Sequence, residues 1–233
     1  MEFVSTVSEI QSSEQFGQLS KAFPDEHPYT LERFLIARQM DTEAAKEALQ
    51  KHIEWRNATL PIDKEAILNE ARRGICFIRG TSKEGYPIIY ARTRFQDPTK
   101  RDLDEALKGA VYVLEKGIEM MGEKKHSTEG RMILVFDRSN STRANVDTEL
   151  WKEIARIASD NYPERLHRVL VYPVGILFRS VWAVFKYFLD QKTRDKVILL
   201  GYQEQLLDYI DEDQLVSDLG GTNRSDFNAD EEL

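Results

Sequence analysis

Residues 161–200 read NYPERLHRVLVYPVGILFRSVWAVFKYFLDQKTRDKVILL and contain the pattern that decides the fold. Apolar runs predict strands at Arg168–Tyr172 and Lys196–Leu200, and the longer stretch between them, Ile176–Leu189, has the spacing of a helix. Two strands joined through a helix lie parallel in one sheet, because the chain must cross over before it returns. The stretch therefore indicates an α/β fold.

The preceding segments extend this pattern. Ile75–Arg79 and Pro87–Thr93 are strand-like, and the glycine-bounded segment between them suits a hairpin. The run MILVFD at Met132–Asp137 is almost entirely apolar, as in a central strand that is buried on both faces. Helices are predicted at Asp102–Met121 and Asp147–Asp160. We therefore expect a mostly parallel sheet of about five strands, covered by helices.

The first 73 residues are predicted to be helical. Residues 1–20 form either a loosely held arm or a short docking helix. Apolar residues at helical spacing, from Leu31 to Leu35, indicate a short amphipathic helix. Asp41 can cap the next helix, which ends near Arg56, and a third short helix is predicted at Asp63–Arg73.

The 233-residue chain has a net charge of −8, which is concentrated at one end. The last 31 residues hold ten acidic side chains and one basic one, so the first 202 residues carry only +1. This balance argues against a nucleic-acid binder. A single cysteine, Cys76, excludes an intrachain disulfide and a multi-cysteine zinc site. No stretch reaches the roughly 20 apolar residues that span a bilayer, and no signal peptide is visible.

The usual signatures of an enzyme are missing. The sequence has no G-x-G-x-x-G after a strand, so no dinucleotide cofactor is expected, and no G-x-S-x-G elbow. Its four histidines lack partners three or four residues away, which argues against a helical metal pair. Asp137 ends a predicted strand, where ligands bind in α/β proteins, but a capping role is favoured. An enzyme using Asp137, Ser139 or His167 stays as a third hypothesis, and it requires these residues to converge in a polar cleft.

The predicted helix Ile176–Leu189 is apolar around most of its circumference. Its basic residues, Arg179 and Lys186, are about two turns apart. The main apolar stripe consists of Phe178, Val181, Trp182, Phe185 and Leu189. Aromatic side chains with cations beside them are typical of a helix in a membrane interface, but a core helix that covers a sheet has the same periodicity. The local charge of +4 between Glu164 and Lys196 favours the membrane alternative.

Several stretches of the chain resemble one known family, the CRAL-TRIO domain proteins of the yeast-type phosphatidylinositol transfer group. TLERFLIARQMDTEAAKEALQKHIEWR is similar to the family's N-terminal helices, EGYPIIYARTR to its first strand pair, and RMILVFDRSN to its central strand. The most specific matches are DNYPERLHRVLVYPVG and FKYFLDQKTRDKVILLG, followed by LVSDLGGTN. The resemblance covers about residues 28–224.

The resemblance implies a helical module at 1–73, a lipid-binding domain at 74–224 and an acidic tail at 225–233. In this family the sheet floors an apolar pocket that a mobile gate helix closes, and Ile176–Leu189 matches that helix. The stripe of the gate helix, together with Met132 and Leu134, is then expected to line the acyl pocket.

Four residues match the family's inositol-phospholipid site: Arg38, Glu164, Thr193 and Lys196. Their types suit the ligand. Arg38, Thr193 and Lys196 can donate hydrogen bonds to a phosphodiester, and Glu164 can accept them from inositol hydroxyls. Each of them alone could equally be a structural ion pair or cap.

The chain also departs from the family pattern. Members that bind phosphatidylcholine carry Ser and Thr on the central strand, where this chain has Met132 and Leu134, and tyrosines where this chain has Ile78, Ile89 and Leu114. These replacements remove hydroxyls, which argues against phosphatidylcholine. A second ligand, of unknown identity, is then a sterol, another hydrophobic metabolite or acyl chains alone. The basic residue that often follows the family's arginine is Gln39 here.

The resemblance implies a soluble, non-enzymatic carrier without a cofactor. It would bind one phosphatidylinositol and move it between membranes or present it to a phosphoinositide kinase. Its location would be cytoplasmic, with peripheral and transient membrane contact. The alternative on the same fold is an adaptor that senses a lipid or small hydrophobic ligand without net transfer.

Overall fold

The computed structural model describes residues 7–127, 130–189 and 191–233, with the backbone alone at residues 7–8, 176–177 and 181. Its N-terminal part consists of helices, as predicted. These are α1 (Val7–Gln11), α2 (Glu14–Ala22), α3 (Pro28–Ala37), α4 (Thr42–Thr59) and α5 (Leu68–Ala71). A 3₁₀ turn at Lys64–Ile67 precedes α5, so the predicted helix Asp63–Arg73 is divided into two short pieces.

The N-terminal helices pack around a core of their own, in which Leu19 of α2 and Leu49 of α4 are fully buried. Burial of Leu19 shows that the described part of residues 1–20 docks on the following helices rather than forming a loose arm. The other buried members of this core are Leu31, Phe34, Leu35 and Ala45.

The sheet has five strands in the order β1-β2-β3-β4-β5, which confirms the predicted α/β class. β1 and β2 form an antiparallel hairpin, and the remaining pairs are parallel. The strands are β1 (Cys76–Thr81), β2 (Pro87–Arg92), β3 (Met132–Asp137), β4 (Leu166–Tyr172) and β5 (Val197–Leu199).

Successive residues of β3 point to opposite faces of the sheet, as strand geometry requires. Ile133 and Val135 are buried in a core shared with segment 200–219, which covers that face. Met132, Leu134 and Phe136 face a cavity on the other side. The strand is apolar from Met132 to Phe136 because one of its faces meets this core and the other meets the cavity.

The cavity side of the sheet is covered by α6 (Leu103–Met120), α7 (Thr148–Asn161) and α8 (Ile176–Phe185). Asp102 and Asp147 are the N-cap residues of α6 and α7. Their side chains accept hydrogen bonds from backbone N–H groups in the first turn of each helix.

α8 ends earlier than the sequence suggested. After Phe185 the chain forms a 3₁₀ turn at Lys186–Phe188, and Leu189 is extended. Arg194 Nε donates to the Leu189 carbonyl at 2.9 Å. The Leu189 backbone N–H donates to the Lys186 carbonyl, which closes the turn. Both contacts satisfy carbonyls that a helix end leaves without partners. The short helix α9 (Gln191–Asp195) leads into β5.

The acidic residues 225–233 lie against the body of the protein. Asp230 forms a 2.6 Å ion pair with Arg72, and Glu232 pairs with Arg79 of β1. The segment includes the short helix α10 (Ala229–Glu232), in which Ala229 is buried. Part of the acidity at this end is therefore neutralised within the molecule.

Candidate functional site

A cavity of about 650 Å³ lies between the sheet and helices α6, α7 and α8. The sheet supplies side chains from one face of β2, β3 and β4, two residues apart along each strand. These floor residues are Ile89, Ala91, Leu134, Phe136, Val169 and Val171. Cys76 also lines the cavity, and burial raises the pKa of its thiol to about 12, so the thiol stays protonated. The floor is uncharged and largely apolar.

Helix α8 closes one side of this cavity with aromatic residues. Phe178 is buried, and its ring lies 6.1 Å from that of Trp182. Trp182, Phe185 and Leu189 also line the cavity. The side chain of Val181 lies outside the described residues. On the outer side of this segment Val184 and Tyr187 are 62% and 71% exposed, so the segment presents apolar surface in two directions.

The residues predicted to replace hydroxyl groups lie mostly on the cavity wall. Met132, Leu134, Ile89 and Leu114 line it. Ile78 does not line it, and instead packs within a small cluster around Met132 beside Gly117 of α6. This end of the cavity is therefore apolar.

The four residues predicted to bind an inositol headgroup all line this same cavity. The Nζ atom of Lys196 lies 3.8 Å from Oε2 of Glu164, and the two side chains are 24% and 19% exposed. Glu164 has a φ angle of 57°, in the left-handed region that few residues other than glycine adopt. A non-glycine residue held in this region costs about 1 kcal/mol or more, which is tolerated where the surrounding structure demands it.

Arg38 reaches the cavity because α3 ends there. It is the C-cap residue of α3, and the next two residues, Gln39 and Met40, have positive φ angles of 53° and 64°. The guanidinium makes one side-chain hydrogen bond to residues that the structure describes, a long one of 3.5 Å to the Ala37 carbonyl. Its other N–H groups can therefore serve a ligand. Gln39 also lines the cavity.

Thr193 and Lys196 are positioned by α9 and the start of β5. The Lys196 backbone N–H donates to the Thr193 carbonyl at 3.2 Å, and the Lys196 carbonyl accepts from Val169 of β4 at 2.9 Å. The sheet therefore fixes the backbone that carries the lysine, while α9 brings the threonine to the same wall.

Two cationic contacts beside α8 were not anticipated from the sequence. The Arg138 guanidinium lies 4.4 Å from the centre of the Phe178 ring, and the Lys152 ammonium lies 4.0 Å from that of Phe188. Burial lowers the pKa of Arg138. These cation–π contacts join residues far apart in sequence, so no local pattern indicated them.

The residues of the enzyme hypothesis do not converge. Asp137 is buried at the carboxyl end of β3, where it pairs with Arg94 and accepts from the Ser139 backbone N–H at 2.8 Å. His167 lies at the opposite end of the parallel strands, with Nε2 2.8 Å from Glu84. Asp137 and Ser139 form a strand-end turn, as the capping interpretation expected.

No helix among the described residues has the length and apolar content needed to cross a bilayer.

A family model described as the CRAL/TRIO domain matches residues 71–221. The phosphatidylinositol/phosphatidylcholine transfer proteins SFH12 and SFH4 of Arabidopsis thaliana are 28% and 33% identical, over 95% and 82% of this chain. The phosphatidylinositol transfer protein CSR1 of Eremothecium gossypii is 24% identical over 94% of this chain.

These matches cover 45%, 34% and 52% of the three relatives, so the chain spans about a third to a half of their length. The crystal structure of Sfh5 has a similar fold, with a TM-score of 0.76 and 16% sequence identity. The superposition covers 100% of this chain and 93% of the Sfh5 chain. The similarity to Sfh5 concerns the fold.

Proposed function

Because the chain belongs to the CRAL/TRIO domain family, we propose that it carries one phosphatidylinositol molecule in the cavity under α8 and transfers it between membranes. The observation that carries this proposal is the composition of one cavity wall. Arg38, Glu164, Thr193 and Lys196 border a largely apolar space of about 650 Å³. A polar edge on an apolar cavity suits an amphiphile, and the printed names of SFH12, SFH4 and CSR1 include phosphatidylinositol transfer.

The headgroup would be bound by charge and hydrogen bonds together. Lys196 and Arg38 would donate to the phosphodiester, with Thr193 adding its hydroxyl, and such charge-assisted bonds contribute about 1.5–3 kcal/mol each. Glu164 would accept from inositol hydroxyls. Since Lys196 already faces Glu164 at 3.8 Å, the inositol and phosphate would lie side by side between them.

The acyl chains would occupy the apolar interior, and burial of each methylene would stabilise the complex by about 0.8 kcal/mol. For them to enter, the segment 176–189 must move as a gate, and its outer side offers a reason to move at a membrane. Val184 and Tyr187 are exposed there beside the exposed Arg179, a combination that can enter the headgroup region of a bilayer. Contact with lipid would then stabilise the open gate.

We place the functional boundaries where the sequence patterns change. Residues 1–73 would form a helical module that contributes Arg38, residues 74–224 the lipid-binding domain, and 225–233 an acidic segment. The protein would act without a cofactor, in the cytoplasm and transiently on membranes, and would present its lipid to a phosphoinositide kinase.

Phosphatidylcholine is not part of this proposal. Met132, Leu134, Ile89 and Leu114 line the cavity without a hydroxyl, so a choline headgroup would lose its water without gaining hydrogen bonds there. A second ligand, if it enters, is expected to be apolar throughout or nearly so.

A transfer assay between vesicles with labelled phosphatidylinositol tests the proposal. We expect wild-type transfer to exceed that of a Thr193→Asp, Lys196→Ala double variant by tenfold or more, because the loss of one charge-assisted bond alone has about that effect. Lys51→Ala, which removes an exposed lysine of α4, is the matched control and should keep wild-type transfer. Equal transfer by the wild type and the double variant would rule the assignment out.

The alternative, an adaptor that senses a ligand without net transfer, is favoured by the missing hydroxyls alone. The two functions separate in one experiment. A sensor would bind phosphatidylinositol in a single vesicle population, or bind another hydrophobic molecule, without accelerating movement of the label to acceptor vesicles.

A further inference from the structure

A second cavity, of about 330 Å³, lies between α3, α4, α6 and the segment Asn161–Arg165. It differs from the lipid cavity because charged and polar side chains make up most of its wall. We call it the Arg33 cavity. Its described cationic residues are Arg33, Arg56, Lys125 and Arg165.

Arg165 is held rigidly in this wall. It is 7% exposed, and its Nη1 atom donates to the carbonyls of Gly130 and Lys125 at 2.7 and 2.8 Å. No carboxylate in residues 7–127, 130–189 and 191–233 lies within ion-pair distance of it. Burial lowers the pKa of Arg165 to about 10, although the charge of Glu115 acts in the opposite direction.

Arg33 approaches the same space from α3. Its Nη2 atom donates to the Thr30 hydroxyl at 3.3 Å, while Nη1 is buried without a hydrogen-bond partner in the described part of the chain. Burial, and then the charge of Arg165, lower the pKa of Arg33 to about 9. Two guanidiniums thus share a poorly solvated space, an arrangement that costs free energy unless an anion lies between them.

The carboxylates of the cavity wall are largely occupied by other partners. Glu115 accepts from Arg56 at 2.8 and 3.3 Å and from the Tyr162 hydroxyl at 2.7 Å. Glu119 pairs with Lys116 at 3.0 Å. Glu26 is the remaining acidic residue of the described wall, and the charges of Glu32 and Glu115 act on Arg33 and Arg165 from beyond ion-pair distance.

We propose that the Arg33 cavity is a second ligand site and that it binds a phosphate group between Arg33 and Arg165. Arg165 borders both this cavity and the lipid cavity, whereas Arg33 borders only this one of the two. A guanidinium presents two parallel N–H groups that match two oxygens of a phosphate, and the unpartnered Nη1 of Arg33 supplies such a donor. The volume of about 330 Å³ accommodates inorganic phosphate or a small phosphate ester. The phosphate would come from solution or from a lipid headgroup.

The test measures binding of inorganic phosphate by calorimetric titration, with chloride at the same ionic strength as reference. We expect wild-type protein to bind and Arg33→Gln to bind about tenfold more weakly or worse. Arg156→Gln, an exposed arginine of α7 that pairs with Glu153, is the matched control and should bind like wild type.

A second arm distinguishes the source of the phosphate, using phosphatidylcholine vesicles with and without phosphatidylinositol 4-phosphate. Weaker binding of Arg33→Gln to inorganic phosphate assigns the site to soluble phosphates. Weaker binding to the phosphoinositide vesicles alone assigns it to lipid headgroups.

Unchanged behaviour of Arg33→Gln in both arms would overturn the proposal. Where Arg33→Gln does not fold, Arg33→Lys is the second variant, because it keeps the positive charge but lacks the two parallel N–H donors of a guanidinium. We expect it to weaken phosphate binding while leaving the circular dichroism spectrum unchanged.

Discussion

The Lys196 ammonium lies 3.8 Å from the Glu164 carboxylate across the edge of the apolar cavity, and both side chains are mostly shielded from water. The distance is long for a direct hydrogen bond and short enough for strong attraction between the charges. A pair in this arrangement can accept a polar ligand beside it without a large change in either side chain. It is the ion pair of the proposed headgroup site.

Glu164→Gly separates binding from stability. Glycine adopts the left-handed φ of 57° without strain, which offsets its greater entropy in the unfolded chain, so we expect the free energy of unfolding to stay within about 1 kcal/mol of wild type. Phosphatidylinositol binding should fall about tenfold or more, because the acceptor for inositol hydroxyls is gone. Chemical denaturation and a vesicle-binding assay measure the two quantities. Loss of stability with unchanged binding would mean that Glu164 is only a structural residue.

Restoring hydroxyls on β3 should broaden the ligand range. A Met132→Ser, Leu134→Thr double variant places donors on the cavity face of β3, and we expect it to gain phosphatidylcholine binding that the wild type lacks. The truncation of Met132, which is 2% exposed, should also lower the free energy of unfolding by about 2–4 kcal/mol.

Met132→Ala with Leu134→Ala is the control for this prediction, because it enlarges the cavity without adding donors. Lipid extraction followed by mass spectrometry reads out the result. Equal phosphatidylcholine binding by the hydroxyl and alanine variants would show that volume, not hydrogen bonding, limits the ligand.

Charge on the outer side of the gate should impair membrane contact. Val184 is 62% exposed, so Val184→Asp should leave the thermal midpoint within a few degrees of wild type while reducing vesicle binding and lipid transfer several-fold. Met120→Asp, at an exposed site on α6, is the matched control. Cosedimentation with anionic vesicles measures the effect. Equal losses in both variants would assign the effect to net charge rather than to this surface.

The buried pair of Asp137 and Arg94 should be structural. Removal of Arg94 by Arg94→Met leaves the Asp137 carboxylate buried with less compensation, so we expect a loss of about 3–5 kcal/mol in the free energy of unfolding. Folded Arg94→Met protein should still bind phosphatidylinositol at low temperature. A specific loss of binding without a loss of stability would contradict the structural assignment.

His52 should make the protein less stable in mild acid. The ring is 6% exposed beside Asn161, and burial lowers its pKa from 6.5 to about 4. The unfolded chain therefore takes up a proton more readily than the folded one as pH falls from about 6.5 to 4, and stability should decrease over that interval.

His52→Gln removes this titration, so its unfolding free energy should show a shallower slope in the same pH interval, by up to about 1.4 kcal/mol per pH unit. Denaturation at a series of pH values measures it. Identical slopes for wild type and His52→Gln would contradict the assignment to His52.

The fold could be predicted well where one pattern determines an element. β3 begins and ends at Met132 and Asp137 as predicted, because an apolar run with one core face and one cavity face has no competing interpretation. The end of α8 could not be predicted, since the apolar pattern continues to Leu189 while the chain changes from an α-helix to a 3₁₀ turn after Phe185. The contacts of Asp230 and Glu232 with Arg72 and Arg79 join residues about 150 positions apart, and composition alone suggested only a solvated tail.

The candidate site was predicted through its residue types and their match to a family pattern, and the structure brings all four residues to one cavity. No sequence pattern indicated the Arg33 cavity. Arg33 and Arg165 are ordinary helical and loop arginines in the sequence, and only the packing of α3 against the segment Asn161–Arg165 brings them to a common space.

Native mass spectrometry after incubation with mixed phosphatidylinositol and phosphatidylcholine vesicles tests the central claim most directly. We expect one phosphatidylinositol per chain for the wild type, no phosphatidylcholine, and little bound lipid for the Thr193→Asp, Lys196→Ala variant. A wild-type spectrum without phosphatidylinositol, or equal retention of it by the variant, would contradict the proposed site and the proposed function together.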